Sequence, residues 1–363
     1  MPSTEANQQS SPILSIVIPA YNVEAFIIQA VMSALSQGLQ DLEVLVIDDG
    51  STDRTAALVG KIQDPRLRLI RQENRGLSGA RNTGIRNARG RFIGFLDGDD
   101  EWLPEKAESQ VAIMEADPTI GITFSHSRYI DENGAETGRV LFSRIESPTI
   151  EEMIRRNRIG NGSSPVVRAE CFEQAGLFDE SLRSCEDWEM WIRILRETKL
   201  RFQLVPEFLT YYRINTRSLS MNFEGFLNNA ERAVDKVAAD TPGVSCRVLR
   251  EGRATMYRIA STKALFNGQR TEASRLMVRA VLLCPWMVLF DPRMVATLVL
   301  LTIPNRLSGS AKSAAGRLFR PVPGRVFKAS AKTVNEPVPK LPTKPLNMAS
   351  TAKAVSQPLR RVS

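Results

Sequence analysis

At 363 residues and 43% hydrophobic content, the chain can hold a large α/β domain with something added to it. Its single histidine, His126, all but excludes histidine triads and histidine-rich metal sites, and the scattered cysteines (Cys171, Cys185, Cys246, Cys284) lack metal spacing and read as reduced thiols of a cytosolic protein. The net charge of +8 is a tail property: residues 307–363 hold 11 Lys/Arg against the lone acid Glu336, a net of +10, which leaves −2 for the rest and argues against a nucleic-acid-binding catalytic domain.

Residues 1–11 are polar, without an apolar h-region, and read as a disordered leader rather than a signal peptide. Ile13 to Ile18 predicts a buried strand stopped by Pro19, and Val23 to Leu35 has helical apolar spacing. Leu42 to Ile47 predicts a second buried strand, ending in Asp48-Asp49-Gly50-Ser51-Thr52-Asp53, a turn that also starts a helix running to about Ile62. Leu67 to Ile70 is a third strand and Gly79 to Ala88 a short helix. Phe92 to Leu96 is a strand buried on both faces that runs into Asp97, Gly98, Asp99 and Asp100. This alternation predicts a mostly parallel sheet flanked by helices.

Pro104 can open a helix to about Met114, followed by a strand at Ile120 to Phe124 and a hairpin-type turn at Asp131-Glu132-Asn133-Gly134. Short helices are expected at Ile150 to Arg156 and before Gly176, with a loop at Asn161 to Pro165 between them. A helix over Glu186 to Thr198 and a strand over Leu200 to Val205 follow. Residues 223–284 predict three helices. The apolar stretch 281–303 is broken by Pro285, Asp291, Pro292 and Arg293, and its uninterrupted part after Arg293, about ten residues, is half of the roughly 20 that span a bilayer. It reads as a packed helix pair or as an interfacial segment. From Ser308 the composition predicts disorder. The expected domains are therefore 1–11, 12–220, 221–305 and the basic tail 306–363.

Four constellations carry chemistry. In an open α/β sheet, ligands bind outside the carboxyl ends of the strands. Pro19-Ala20-Tyr21-Asn22 with Glu24, and Asp48-Asp49-Gly50-Ser51, lie just past such ends, where an acid can accept from a base N–H or from ribose hydroxyls. No Gly-rich phosphate loop is present. Asp97-Gly98-Asp99 instead offers hard oxygen ligands for Mg²⁺ or Mn²⁺ shared with substrate phosphates, with Gly98 allowing unusual backbone angles. The Gly-rich approach Glu73 to Gly84, with Arg75, Ser78, Arg81 and Asn82, can hold anionic or polyhydroxyl groups at a helix start. Glu186-Asp187-Trp188 sets two acids at a helix start, where the macrodipole favours their ionised forms. A carboxylate there suits proton abstraction from a sugar hydroxyl, and Trp188 offers an acceptor sugar a stacking face. Tyr211 to Ser218 carries Arg213 and Arg217, cations that could clamp a diphosphate.

These motifs, in this order and spacing over about residues 12–220, resemble family 2 glycosyltransferases of the GT-A fold. The resemblance implies a nucleotide-diphospho-sugar transferase fold with a C-terminal helical extension, and an inverting, Mg²⁺- or Mn²⁺-dependent transfer of a sugar to an acceptor hydroxyl. It implies nucleoside contacts from Pro19, Tyr21, Glu24, Asp49 and Asp48, with Ala20, Asn22 and Ser51 in the same loops. It puts Asp97 at the ribose or donor sugar, Asp99 at the metal, Arg81 and Asn82 near the donor sugar, and Asp187 as general base with Glu186 beside it. The chain lacks the Gln-x-x-Arg-Trp motif and flanking membrane helices of the processive synthases, which points to single-sugar transfer. It has Asn215 near where many relatives carry histidine, so Arg213 or Arg217 would substitute. The expected setting is cytoplasmic, peripheral at the inner face of the plasma membrane. The partners implied are a nucleotide-sugar donor and a glycan or glycolipid acceptor, with membrane contact through 281–303 and the basic tail and no nucleic acid. A sugar nucleotidyltransferase and an inactive membrane-associated scaffold are the rival readings.

Overall fold

The computed structural model describes residues 11–214 and 223–302. The leader, Asn215, Arg217 and the basic tail lie outside them. The first half alternates strand and helix: β1 (Leu14–Ala20), α1 (Ile27–Leu35), β2 (Leu42–Asp48), α2 (Thr55–Val59), β3 (Leu67–Arg71), α3 (Gly76–Asn87) and β4 (Phe92–Phe95). After it come β5 (Glu101–Trp102), α4 (Lys106–Ala116), β6 (Ile120–Ile130), β7 (Glu136–Leu141), α5 (Ile150–Arg155), β8 (Val166–Arg168), α6 (Glu170–Ala175), α7 (Glu186–Glu197) and β9 (Arg201–Arg213). Helices α8 (Phe223–Asp240), α9 (Cys246–Phe266), α10 (Arg270–Leu283), α11 (Met287–Phe290) and α12 (Pro292–Thr302) complete the described chain.

The strands form one sheet in the order β3-β2-β1-β4-β8-β6-β9-β5, with β7 paired to β6. The expected parallel arrangement holds from β3 to β4. Beyond β4 the sheet is mixed, because β8 runs antiparallel to both β4 and β6, while β6 and β9 are parallel. The apolar runs of β1, β2 and β4 are continuous because both faces are covered. Val17, Leu45, Ile93 and Phe95 join a core with α3 and α7, whereas Leu14, Ile16, Val44 and Phe92 join a second core with α1 and α4. Pro19 does not stop β1, which continues to Ala20. Pairing with β4 ends at Val17, so no ladder bond on that side needs a Pro19 N–H.

The parallel register aligns Ala20 with Asp48, so β1 and β2 deliver their loops to the same edge, where β4 also ends. The helices after β9 are not a separate layer: Ala230, Ala233, Val234, Val237, Val248 and Met256 of α8 and α9 belong to the core that holds Trp188.

Candidate active site

The loops after β1 and β2 are fastened to each other. Asn22, in a left-handed conformation (φ 52°), donates its N–H to Ser51 Oγ at 3.1 Å and accepts from Thr52 N at 2.8 Å. The N–H groups of Val23 and Glu24 reach Thr55 Oγ1 and Asp53 Oδ2, each at 3.0 Å. Glu24 pairs with Arg54 at 3.0 Å, which holds its carboxyl below the usual range, so its charge serves the loop first. Tyr21 is the apolar surface left open at this edge, half exposed.

Asp48 is buried, accepting from Ser51 N at 3.1 Å and from Arg71 Nε at 3.2 Å. Asp49 accepts from Gln72 Nε2, Arg75 N and Gly76 N at 2.6, 2.8 and 2.8 Å. It thereby caps α3, whose own N-cap residue Arg75 supplies no side-chain bond.

The loop after β4 carries the acids. Gly98 has no left-handed backbone. A Cβ here would stand 3.1 Å from Pro19 O and from Val23 Cγ2, tighter than usual contact, so glycine serves close approach instead of the expected conformational role. Asp97 Oδ1 takes a hydrogen bond from Arg81 Nη2 at 2.9 Å. Asp100 is fully buried, held by Ser163 Oγ at 2.6 Å and Arg213 N at 2.9 Å. The Asp99 carboxylate accepts from no other residue's donor among the described residues, its backbone oxygen alone taking a bond from Arg213 Nε at 2.7 Å. Burial, then Asp97, pushes its carboxyl up to about 6.

The second set of acids begins α7. Cys185 precedes it in a left-handed conformation (φ 62°), turning Glu186 and Asp187 into the site. Arg81, 2% exposed, links the two sets, donating Nη1 to Glu186 Oε1 at 2.7 Å and Nη2 to Asp97. Burial opposes its charge, but Asp97, Glu186 and Asp187 outweigh that and raise its pKa. Asp187 accepts from Trp188 N at 2.7 Å and Asn157 Nδ2 at 3.3 Å. The helix dipole does not decide the acids' titration here. Burial, only partly offset by Arg81, lifts Glu186 to about 7 and raises Asp187 as well.

Several expected contacts have other partners. Trp188 cannot stack on a sugar: it is buried in the core and donates Nε1 to Met153 O at 2.6 Å. Ser78 donates to Leu182 O at 3.1 Å, and Asn82 brackets Phe178 and Glu180 with bonds of 2.9 to 3.0 Å. Arg75 pairs with Glu180 at 2.8 Å. With Arg81 they fasten α3 to the loop before α7, so Ser78, Arg81 and Asn82 position the second set of acids from beneath instead of facing a donor sugar. Arg213 is likewise not a free diphosphate clamp. Its Nε, Nη1 and Nη2 go to Asp99 O, Asp131 O and Glu101, tying the end of β9 to the acid loop. Arg217 lies outside the described residues.

Some contributing residues were not singled out in the sequence. Asn161 to Ser164 pass beneath the acid loop: Ser163 bridges Asp97 N and Asp100, and a Cβ on Gly162 would meet Arg81 Nη2 at 2.2 Å. The signal was the cluster of small residues between strands. Lys106 is buried under this loop, bonded to Ser164 O at 2.7 Å and Ser125 Oγ at 3.2 Å, and burial depresses its pKa. Tyr129 and Tyr212, paired across β6 and β9 with ring centroids 5.4 Å apart, flank the acids. Burial, then Asp100, Tyr129 and the other acids of the loop, raises the Tyr212 phenol.

A divalent cation fits this arrangement on one condition. Among the described residues no three His, Cys, Asp or Glu side chains gather to ligate an ion. Asp99 and the second oxygen of Asp97 would have to share it with phosphate oxygens, as Mg²⁺ commonly is shared.

Comparison with known proteins agrees with this architecture. Residues 15–183 match the model of glycosyl transferase family 2. The chain is 34% identical over 215 residues to UDP-Glc:alpha-D-GlcNAc-diphosphoundecaprenol beta-1,3-glucosyltransferase WfaP of Escherichia coli, covering 58% of this chain and 80% of that one. It is 35% identical over 219 residues to the uncharacterized glycosyltransferase EpsJ of Bacillus subtilis, covering 58% of this chain and 63% of EpsJ, so it spans less than two thirds of that relative. Among solved structures it resembles S. aureus TarS 1-349 (TM-score 0.55, 18% identity, 85% of this chain and 89% of that one). It also resembles the mannosyltransferase PcManGT from Pyrobaculum calidifontis, in complex with GDP-Man and Mn²⁺ (TM-score 0.54, 19% identity, 83% and 89%). The fold is GT-A, and the chain belongs to glycosyl transferase family 2.

Proposed function

We propose that the protein moves one sugar from a nucleotide-diphospho-sugar to a hydroxyl of a lipid-linked glycan, inverting the anomeric centre, in the assembly of surface polysaccharide or glycolipid. The observation that carries this reading is the pair of carboxylate sets joined by buried Arg81: Asp97 and Asp99 on one side, Glu186 and Asp187 on the other. The support from relatives is that WfaP is named for a UDP-Glc donor and a lipid diphosphate acceptor, and that TarS was solved with UDP and with UDP-GlcNAc.

On this reading Tyr21 packs against the nucleoside, and the fastened loops around Asn22 and Ser51 hold the donor in register. Mg²⁺ or Mn²⁺, when bound at Asp99 and Asp97, would act as a Lewis acid towards the departing diphosphate. Asp187 takes the proton of the acceptor hydroxyl, and Asn157 keeps its carboxylate turned to that task. Its raised pKa brings it nearer to neutrality, which strengthens a base that must still be ionised. Glu186 stays on Arg81 and supports the base through its neighbouring charge.

No described helix is long and apolar enough to cross a membrane. From the apolar 281–303 stretch and the basic residues after it in the sequence we infer peripheral contact at the cytoplasmic face. The test is a thermal-shift screen against UDP, GDP, dTDP and CDP, with and without Mn²⁺, on wild type and Asp187→Asn. A ligand at 100 times its dissociation constant adds about 2.7 kcal/mol of apparent stability. The expected outcome is a metal-dependent shift with one nucleotide in both proteins, and transfer only in wild type. No shift with any nucleotide, or full transfer by the variant, would sink the reading.

A further inference from the structure

Asn157 gives Asp187 the one side-chain hydrogen bond that this carboxylate takes among the described residues, from Nδ2 to Oδ2 at 3.3 Å. Its own Oδ1 accepts from Ile159 N and Gly160 N at 3.1 and 3.2 Å, which fixes the amide in a turn. That turn starts from α5, which ends at Arg155, two residues earlier. Isolated helices below about 12–15 residues are marginal in water, so a helix as short as α5 keeps its shape only if neighbours hold it.

Two helices do so. On one side Trp188 of α7 donates Nε1 to Met153 O at 2.6 Å. On the other, α9 lies so close that a Cβ on Gly252 would stand 2.5 Å from Ile154 O. Beside Gly252, Glu251 Oε2 accepts from Arg155 Nε at 2.7 Å. The Glu251 side chain is 13% exposed, against 52% for Glu151, the other acid that pairs with Arg155. Glu251 Oε1 accepts in turn from Arg247 Nε and Trp286 Nε1, each at 3.0 Å. Burial opposes its charge, but the bonds from Arg155, Arg247 and Trp286 outweigh that and hold its carboxyl below the usual range. A fixed, ionised carboxylate therefore grips the last residue of α5 through a charge-assisted bond, stronger than a neutral one.

We propose that Glu251, in the helical extension, is a positioning residue for sugar transfer: by gripping Arg155 it sets the end of α5, and so the Asn157 amide that orients Asp187. This rests on the transferase reading, with Asp187 as the base. A base must lie within hydrogen-bond reach of the proton it takes. Without Glu251 the end of α5 loosens, Asn157 leaves Oδ2, and the Asp187 carboxylate is free to turn from the acceptor hydroxyl.

The test follows the Asn157 side-chain amide by NMR in the full chain, isotope-labelled at asparagine. The signal is identified by its loss in N157A, and its position without the carboxylate is set by D187A. E251A should move the signal toward its D187A position, and E251Q, which keeps an acceptor for Arg155, should move it less. R155Q should move it as E251A does, and E251A should add nothing to R155Q, because both break one linkage. R155Q also gives the reading if E251A does not fold. S261A removes the 2.7 Å bond from Ser261 Oγ to Ala273 O between α9 and α10, loosening the extension away from α5, and should leave the signal in place. A signal unmoved by E251A and R155Q, moved as far by S261A, or displaced additively in the double variant would overturn the positioning role. Thermal shifts with UDP, GDP, dTDP and CDP in Mn²⁺ should be the same in E251A as in wild type. Nucleotide shifts with an unmoved amide would remove this inference alone. A moved amide with no nucleotide shift in wild type would remove the transferase reading and leave Glu251 as a residue that orients Asp187.

Discussion

Replacing Arg81 by methionine tests the centre of the site. The guanidinium is almost wholly buried and holds Glu186 and Asp97 at 2.7 and 2.9 Å, with Asp187 close enough to add to its stabilisation. Removing one partner of a buried ion pair costs about 3–5 kcal/mol, because the charges left behind have no water. Methionine keeps the contact with Phe178 and Phe95, whose rings lie 5.5 and 6.0 Å from the guanidinium carbon, so apolar packing contributes little to the loss. Each kcal/mol lowers the melting temperature of a domain above about 150 residues by about 2–4 °C, so a fall of roughly 10 °C is expected at pH 8. The assay is urea unfolding of wild type and Arg81→Met at pH 8 and pH 5.5. Arg81 lowers the pKa of both Glu186 and Asp187, so without it they take up protons more readily and the destabilisation should shrink at the lower pH. A variant that unfolds at the wild-type midpoint at pH 8, or a gap of the same size at both pH values, would refute the assignment of Arg81 as the charge that joins the two sets.

Two further outcomes follow from the same geometry. Glu186, lifted to about 7 from an ordinary 4.5, holds its proton more tightly in the folded chain than in the unfolded one. Its contribution to stability is present below about 4.5 and lost as pH rises through 7; unfolding midpoints between pH 5 and 8 should therefore fall more steeply in wild type than in Glu186→Gln, and parallel profiles would count against it. Asp49→Ala should cost about 1–2 kcal/mol through loss of the α3 cap and speed amide exchange at Arg75 and Gly76; protected amides there would show that the cap is not needed.

The strands and helices of the first half were legible because both faces of the sheet are buried, so β1, β2 and β4 read as apolar runs. β5 and β8 escaped because a two-residue and a three-residue strand leave no periodicity. β9 was read only to Val205 because Pro206 and Glu207 interrupt its pattern, although the strand continues to Arg213. The acids of the site were readable as residue types at strand and helix ends. Their partners were not, because a charged side chain looks the same in sequence whether it faces ligand or neighbour. Arg81, Asn82 and Arg213 face neighbours, and Trp188 faces the core. Tyr129 and Tyr212 become a pair only through the parallel register of β6 and β9.

Helix α3 has a consequence for how kinetics on this protein should be read. Its first turn hangs from Asp49, in the loop expected to meet the nucleoside, and its middle supports Glu186 and the loop before α7 through Ser78, Arg81 and Asn82. A substitution at Ser78, Arg81 or Asn82 is therefore expected to disturb the donor loop and the second set of acids together. KM for the donor and kcat would then change together, and neither alone would say which substrate the altered residue touches. Separating them takes binding measured without turnover, so that a side chain acting through the helix is not mistaken for one in contact with a sugar.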